Sequence, residues 1–280
     1  MNVVWTLENI SGEVKLTEAE VATLKVSVTL WKRNNPNDTT IIYCDTPSKN
    51  YLEKIGLIEC FDIVDCELLE KKRKTSNINK NVFWASAKIE SLKATAAPLV
   101  HIDNDFFAVK SLEDIGLFKS DVAVSYQEKT DDYYLDPVIA TANAPIKLFK
   151  KYNNIAYNTS LLYFKNQAAK DEYCNVSLKY MRKISGAYDK EIFSSNSVVY
   201  MIFAEQQILG EFCETKKLKV NKLINQVFCP KTGLYENKTD GLVDLKNIDT
   251  VAGHLGEVKK IFREKPDVSV RFAKNLIRLL

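Results

Sequence analysis

Apolar positions along the chain recur in two ways, short strand-sized runs alternating with helical stripes, and that alternation predicts an α/β fold. Residues 3 to 7 read as an opening strand. Thr17-Glu18-Ala19-Glu20 supplies an N-cap followed three positions later by glutamate, a capping box that starts a helix. Val21, Leu24, Val28 and Trp31 recur at three- and four-residue steps and give that helix one buried stripe. Asn34 to Asp38 ends it, and Thr40 to Cys44 reads as the next strand, so the order is β-α-β.

Asp45-Thr46-Pro47 turns into a helix over 48–55, and Phe61 to Val64 reads as a short strand. Glu70-Lys71-Lys72-Arg73-Lys74 and the polar Thr75 to Asn81 read as a solvated loop, with a flap that meets phosphates or acidic lipid as the functional alternative. From Phe83 to Ala97, Ala85, Ile89, Leu92 and Ala96 share a helical face with Lys88 near its edge. Pro98 stops that helix, and Leu99 to Ile102 has the apolar character of a buried parallel strand. The chain leaves this strand directly into Asp103-Asn104-Asp105-Phe106-Phe107, which is where ligands bind in open α/β sheets. Val122 to Tyr126 reads as another strand. Residues 127–154, with Asp131, Asp132, Asp136 and two prolines, suit either an acceptor-facing loop or a plain connection. Ser160 to Lys165 reads as a strand, followed by helices over about 167–184 and 197–212; turns at Pro230–Gly233 and Thr239–Gly241 punctuate the last third.

At 280 residues, 46% hydrophobic and 27% charged, the chain can bury an ordinary core in one large α/β unit over 1–265. Residues 1–120 form its first half and 121–265 its second; an amphipathic segment, 266–280, either packs on the core or lies on an acidic membrane. A net charge of +3 lacks the strong positive field of a nucleic-acid tracker. Six dispersed cysteines, at 44, 60, 66, 174, 213 and 229, read as reduced thiols rather than a metal cluster. With no basic leader before a long apolar run, the expected location is cytoplasmic, with peripheral contact on the inner face of a membrane left open.

Chemistry concentrates after the strand at 99–102. Asp103 and Asp105, one residue apart, can converge on one divalent cation, and oxygen donors favour Mn2+ or Mg2+. Such an ion neutralises a departing nucleotide diphosphate. The alternative is local, since either carboxylate could cap a following helix. His254, between Gly253 and Gly256, reads by itself as a loop histidine and could alternatively complete the metal site from a distance, whereas His101 reads as a packed or hydrogen-bonding strand residue.

His101-Ile102-Asp103-Asn104-Asp105-Phe106-Phe107 resembles the aspartate-x-aspartate segment of A-type nucleotide-sugar glycosyltransferases, especially glycogenin-like and capsule-associated bacterial groups. Trp84 to Leu92 with Lys88 resembles the helix whose basic residue approaches donor phosphate or sugar. Tyr157-Asn158-Thr159-Ser160 resembles the polar turn beside the sugar, although Thr159 stands where that family has a smaller residue. Glu205-Gln206-Gln207 resembles the acidic or amide-bearing helix near donor and acceptor.

The resemblance implies an A-type fold with a mixed, mostly parallel central sheet flanked by helices, and transfer from a UDP-linked sugar to an acceptor hydroxyl, leaning toward retention. It implies donor contacts at Thr6, Asp45, Lys88, Asp103, Asn104, Asn158 and Thr159. Metal contacts fall at Asp103, Asp105 and His254, and Lys88, Glu205 and Gln206 work at the reacting centre. Partners would be a nucleotide-sugar donor and a carbohydrate, glycolipid or protein acceptor, with no nucleic acid. The rival is a non-catalytic α/β module that binds a protein or an anionic surface through Lys71–Lys74 and Lys259-Lys260-Ile261-Phe262-Arg263. No GxxxxGK[ST], GxGxxG or GxSxG sequence is present, which disfavours P-loop, nicotinamide and α/β-hydrolase chemistry.

Overall fold

A computed structural model of the chain describes residues 1–10, 16–114, 116–128, 134, 136–149, 152–186, 197–223, 225–229, 234–238, 252–254, 262–278 and 280. The strands are β1 (Asn2–Leu7), β2 (Thr39–Cys44), β3 (Ile63–Asp65), β4 (Leu99–Ile102), β5 (Phe106–Ala108), β6 (Val122–Glu128), β7 (Ala156–Phe164), β8 (Val220–Lys222), β9 (Asn225–Cys229), β10 (Leu234–Lys238) and β11 (Ala252–His254). The helices are α1 (Glu18–Asn34), α2 (Thr46–Lys54), α3 (Glu67–Thr75), α4 (Ser86–Ala94), α5 (Pro137–Thr141), α6 (Gln167–Gly186), α7 (Ser197–Ile202), α8 (Ile208–Lys216) and α9 (Pro266–Ile277). A π-helical turn, Phe203–Gln207, joins α7 to α8.

Seven strands form the central sheet in the order β3-β2-β1-β4-β7-β6-β8. From β3 to β4 the neighbours run parallel, β7 is antiparallel to both β4 and β6, and β8 is parallel to β6. The fold is thus α/β on a mixed sheet. Strands β1 and β4 are buried on both faces because helices cover them, which explains their unbroken apolar character. The chain winds from β1 outward to β3 and then returns to lay β4 on the other side of β1. This reversal opens a crevice at the carboxyl ends of β1 and β4.

Helix α1 begins as its capping box requires, with Thr17 accepting from Glu20 N and Glu20 accepting from Thr17 N. It buries two faces where the periodicity predicts one stripe: Leu24, Val28 and Trp31 pack on the sheet, while Ala22, Val26 and Leu30 meet Ala273 and Leu276 of α9. Ser269 of α9 accepts from Ala19 N, so the carboxyl-terminal segment covers the start of α1 and packs on the core.

Three other local readings change. Residues 67–75 are helical rather than a loop, because Leu69 is fully buried and Lys72 and Arg73 find buried carboxylates. The helix containing Lys88 starts at Ser86, not Phe83. Tyr157-Asn158-Thr159 belongs to β7 rather than to a turn, since Tyr126, Gln127 and Glu128 extend β6 alongside it after a register shift. Asp131, Asp132, the turns at 230–233 and 239–241, and Lys259-Lys260 lie outside the described residues. No helix among the described residues is long and apolar enough to cross a membrane.

Candidate active site

The crevice at the ends of β1 and β4 is a cleft of about 300 Å³, and its lining includes Thr6, Glu8, Lys88, Asp103, Asp105 and Glu205. Each element delivers a side chain for a local reason. Beyond β4 the chain folds into a tight turn, with Phe106 N donating to the Asp103 carbonyl at 3.0 Å and Asp103 N donating to Ser160 O of β7 at 2.8 Å. The Asn104 amide nitrogen donates to the Thr6 carbonyl at 2.8 Å and ties this turn to the end of β1. Its Oδ1 is buried and has no partner among the described residues. Thr6 Oγ1 lies 3.0 Å from His101 Nε2.

Lys88 is the hub. Its ammonium donates to Asp103 Oδ1 at 2.7 Å, to the Thr159 carbonyl at 2.6 Å and to Thr159 Oγ1 at 3.1 Å, and it pairs with Glu205 Oε1 at 2.7 Å. Thr159 Oγ1 in turn donates to Glu205 Oε1 at 2.7 Å. Burial works against charge on Lys88, but the Asp103 and Glu205 carboxylates outweigh it and hold the ammonium above its ordinary value. Partial loss of water around the Asp103 carboxylate, whose side chain stays 34% exposed, lifts it above the usual carboxylate range, with Glu205 and Asp105 adding to the rise against the pull of Lys88. His101 is pushed well down by burial and by the Lys88 charge, so it is a neutral, packed residue. A π-turn supplies Glu205, and α6 fixes that turn: Tyr173 Oη donates to the Glu205 carbonyl at 2.8 Å and Ser177 Oγ to the Ala204 carbonyl at 2.6 Å.

Asp103 and Asp105 both face this cleft, as a pair of metal-binding carboxylates must. His254 reaches the same neighbourhood through its backbone: β11 pairs with β5 so that His254 stands opposite Phe106, the residue after Asp105. Among the described residues no three His, Cys, Asp or Glu side chains already form a cluster suited to a metal ion.

Other sequence-predicted residues sit apart from the cleft. Asp45 is fully buried, with Oδ1 accepting from Ser48 N at 3.1 Å and Oδ2 accepting from Asn9 N at 3.1 Å and from Arg73 at 2.5 Å. Its oxygens cap α2 and anchor Arg73. Asn158 lies one layer back, donating to Tyr126 Oη at 3.1 Å and Glu128 at 3.0 Å. Thr159 is likewise behind Lys88, and Gln206 accepts from Tyr134 Oη at 3.1 Å.

Glu8 and Trp84 line the cleft without having been singled out as site residues. Glu8 pairs with Lys80 at 2.5 Å and lies 3.7 Å from Arg73, so part of the basic segment stands directly behind the cleft wall. The available signal was position alone, because Glu8 directly follows the strand that borders the switch point.

A family model described as a family of unknown function (DUF6734) matches residues 67–266. No curated protein matches the chain. Similar solved structures include the galactosyltransferase LgtC in complex with donor and acceptor sugar analogs, at 13% identity and a TM-score of 0.44 over 98% of this chain and 96% of that one. The PaToxG glycosyltransferase is 14% identical with a TM-score of 0.42, over 77% of this chain and 69% of that one. A nucleoside-diphosphate-sugar pyrophosphorylase from Vibrio cholerae RC9 is 13% identical with a TM-score of 0.46, over 80% of this chain and 92% of that one.

Proposed function

The chain belongs to this family of unknown function, DUF6734, and we propose that it is a glycosyltransferase that moves a sugar from a nucleoside diphosphate, in the uridine form, to an acceptor hydroxyl. One observation carries the reading: a buried ammonium, Lys88, and a group of carboxylates share the cleft at the topological switch point of the sheet.

The charge count in that cleft bears on the cofactor. Asp103 and Glu205 share the single ammonium of Lys88, while Glu8 is balanced by Lys80, so the formal charge around Lys88 is negative where a diphosphate would have to bind. A divalent cation fits this oxygen-rich set. Asp103 and Asp105 would hold Mn2+ or Mg2+, with His254 as the candidate third ligand, and the ion would supply charge neutralisation at the departing diphosphate.

The chain's own groups do the remainder. Lys88 holds a positive charge at the cleft floor without reorganisation, since Thr159 and Glu205 fix its ammonium in place. Glu205 keeps an acceptor edge beside the sugar-binding space and orients donor hydroxyls there. Asn104 anchors the Asp103–Asp105 turn to β1, keeping both carboxylates on the cleft. The resemblance leans toward retention of configuration.

Calorimetric titration of a nucleoside diphosphate panel, with and without manganese, tests the reading on wild type and Asp105→Asn. Manganese-dependent binding of one nucleotide, weakened at least about tenfold in the variant, is the expected outcome. Failure of every nucleotide to bind folded, metal-loaded protein would sink it.

A further inference from the structure

A second surface carries a different chemistry. Ala144, Ile146, Val176 and Tyr180 line a groove of about 180 Å³ between the segment after α5 and helix α6. Lys147, Lys179 and Lys183 border the same groove, and all three are exposed. Among the described residues none of these lysines has a hydrogen bond or ion pair. The cations behind the cleft wall, by contrast, are paired: Lys72, Arg73 and Lys80 meet buried carboxylates.

The neighbouring helix α5 extends the apolar character outward. Val138 is 71% and Ile139 is 61% exposed, although Pro137, Ala140 and Thr141 of the same short helix are buried. Tyr180 Oη donates to the Ala140 carbonyl at 3.0 Å, a buried bond that holds α5 against α6 beside the groove. That bond also occupies the tyrosine hydroxyl. The other polar side chains lining the groove are the three lysines, which leaves no set of amides or hydroxyls to specify a ligand by hydrogen-bond geometry.

We propose that this patch docks the protein on an anionic lipid bilayer, with Val138 and Ile139 entering the acyl boundary and Lys147, Lys179 and Lys183 meeting lipid phosphates. Two exposed branched aliphatics beside unpaired lysines match the two layers of a bilayer surface, apolar beneath and negative above. Lysine stems lie along apolar surface while their ammonium groups reach the headgroups. The surface is distinct from α9, whose apolar stripe is already spent on α1, and it does not depend on the proposed transferase activity.

Co-sedimentation of the full chain with vesicles tests this, using phosphatidylcholine alone and phosphatidylcholine mixed with phosphatidylglycerol. Wild type is expected to sediment with the mixed vesicles, less so at high salt, and to ignore the neutral ones. Lys147→Glu/Lys179→Glu/Lys183→Glu should lower the partition coefficient about a hundredfold. Val138→Asp/Ile139→Asp should lower it by about tenfold or more. These side chains are exposed, and an unchanged thermal transition checks that each variant is folded. Arg271→Glu/Lys274→Glu/Arg278→Glu, on α9 and its C-cap, should leave binding intact. The proposal fails if wild type ignores the mixed vesicles, if the lysine variant binds like wild type, or if only the α9 variant loses binding. It also fails if the lysines bind soluble polyglutamate while wild type ignores vesicles, a result that would assign the patch to an acidic protein partner.

Discussion

Replacing Lys88 with methionine keeps the side chain's length and removes its charge, and the structure sets the size of the loss. Lys88 is only 6% exposed, and its ammonium sits at 2.6–3.1 Å from four oxygens of Asp103, Thr159 and Glu205. Removing one member of a buried ion pair costs about 3–5 kcal/mol, chiefly because the partner stays buried without compensation. Asp103, 34% exposed, can turn part of its charge to water, whereas Glu205, 11% exposed, has less access. The lower end, about 3 kcal/mol, is therefore expected for Lys88→Met in urea denaturation of the ligand-free protein. Adding Glu205→Gln removes the stranded charge and should recover about 1–2 kcal/mol. A single-variant loss below about 1 kcal/mol, or a double variant that shows simple additive loss, would refute the counter-ion reasoning.

Two further outcomes follow from the packing. A Cβ at Gly210 would fall inside the carbonyl of Ile155, a backbone group that cannot swing away, so Gly210→Ala should cost about 2–3 kcal/mol in the same denaturation assay. Asp62 accepts from Thr40 N at 2.9 Å, Thr40 Oγ1 at 2.7 Å and Lys32 at 2.6 Å; against the opposing effect of burial, these bonds hold its carboxyl below the usual range. Its contribution is present above the unfolded value of about 3.9 and is lost as pH falls through the lower folded value. Because the Asp62 side chain is 40% exposed, the wild-type advantage over Asp62→Asn should stay under about 1 kcal/mol at neutral pH and vanish in acid melts.

Much of the scaffold was legible because its signals are local. Thr17 and Glu20 are three residues apart, so their capping box starts α1 whatever the rest of the chain does. The apolar run Leu99–Ile102 and the carboxylates after it likewise declared a buried strand leading into a polar turn. Asp103 and Asp105 were singled out this way and Lys88 through the family resemblance, and the fold brings all three to one cleft. The second buried face of α1 was not legible, since Ala22 and Val26 become core only when α9 arrives from far along the chain.

The sequence alone determined the α/β pattern, the strand that ends at the Asp103–Asp105 turn, and the presence of a basic residue on the helix before it. Tertiary structure decided which charges would meet. Arg73 turns inward because Asp45 and Glu8 wait at the ends of β2 and β1, and a run of basic residues that reads as a solvated loop becomes a helix against the cleft wall. Asp45 is spent on that pair and on capping α2, while Glu8 gains a place on the cleft because the chain reverses beside β1. Helix caps and apolar periods depend on residues a few positions apart, which sequence displays. Ion pairs and cleft walls join residues tens of positions apart, and only the order of strands in the sheet brings them within reach.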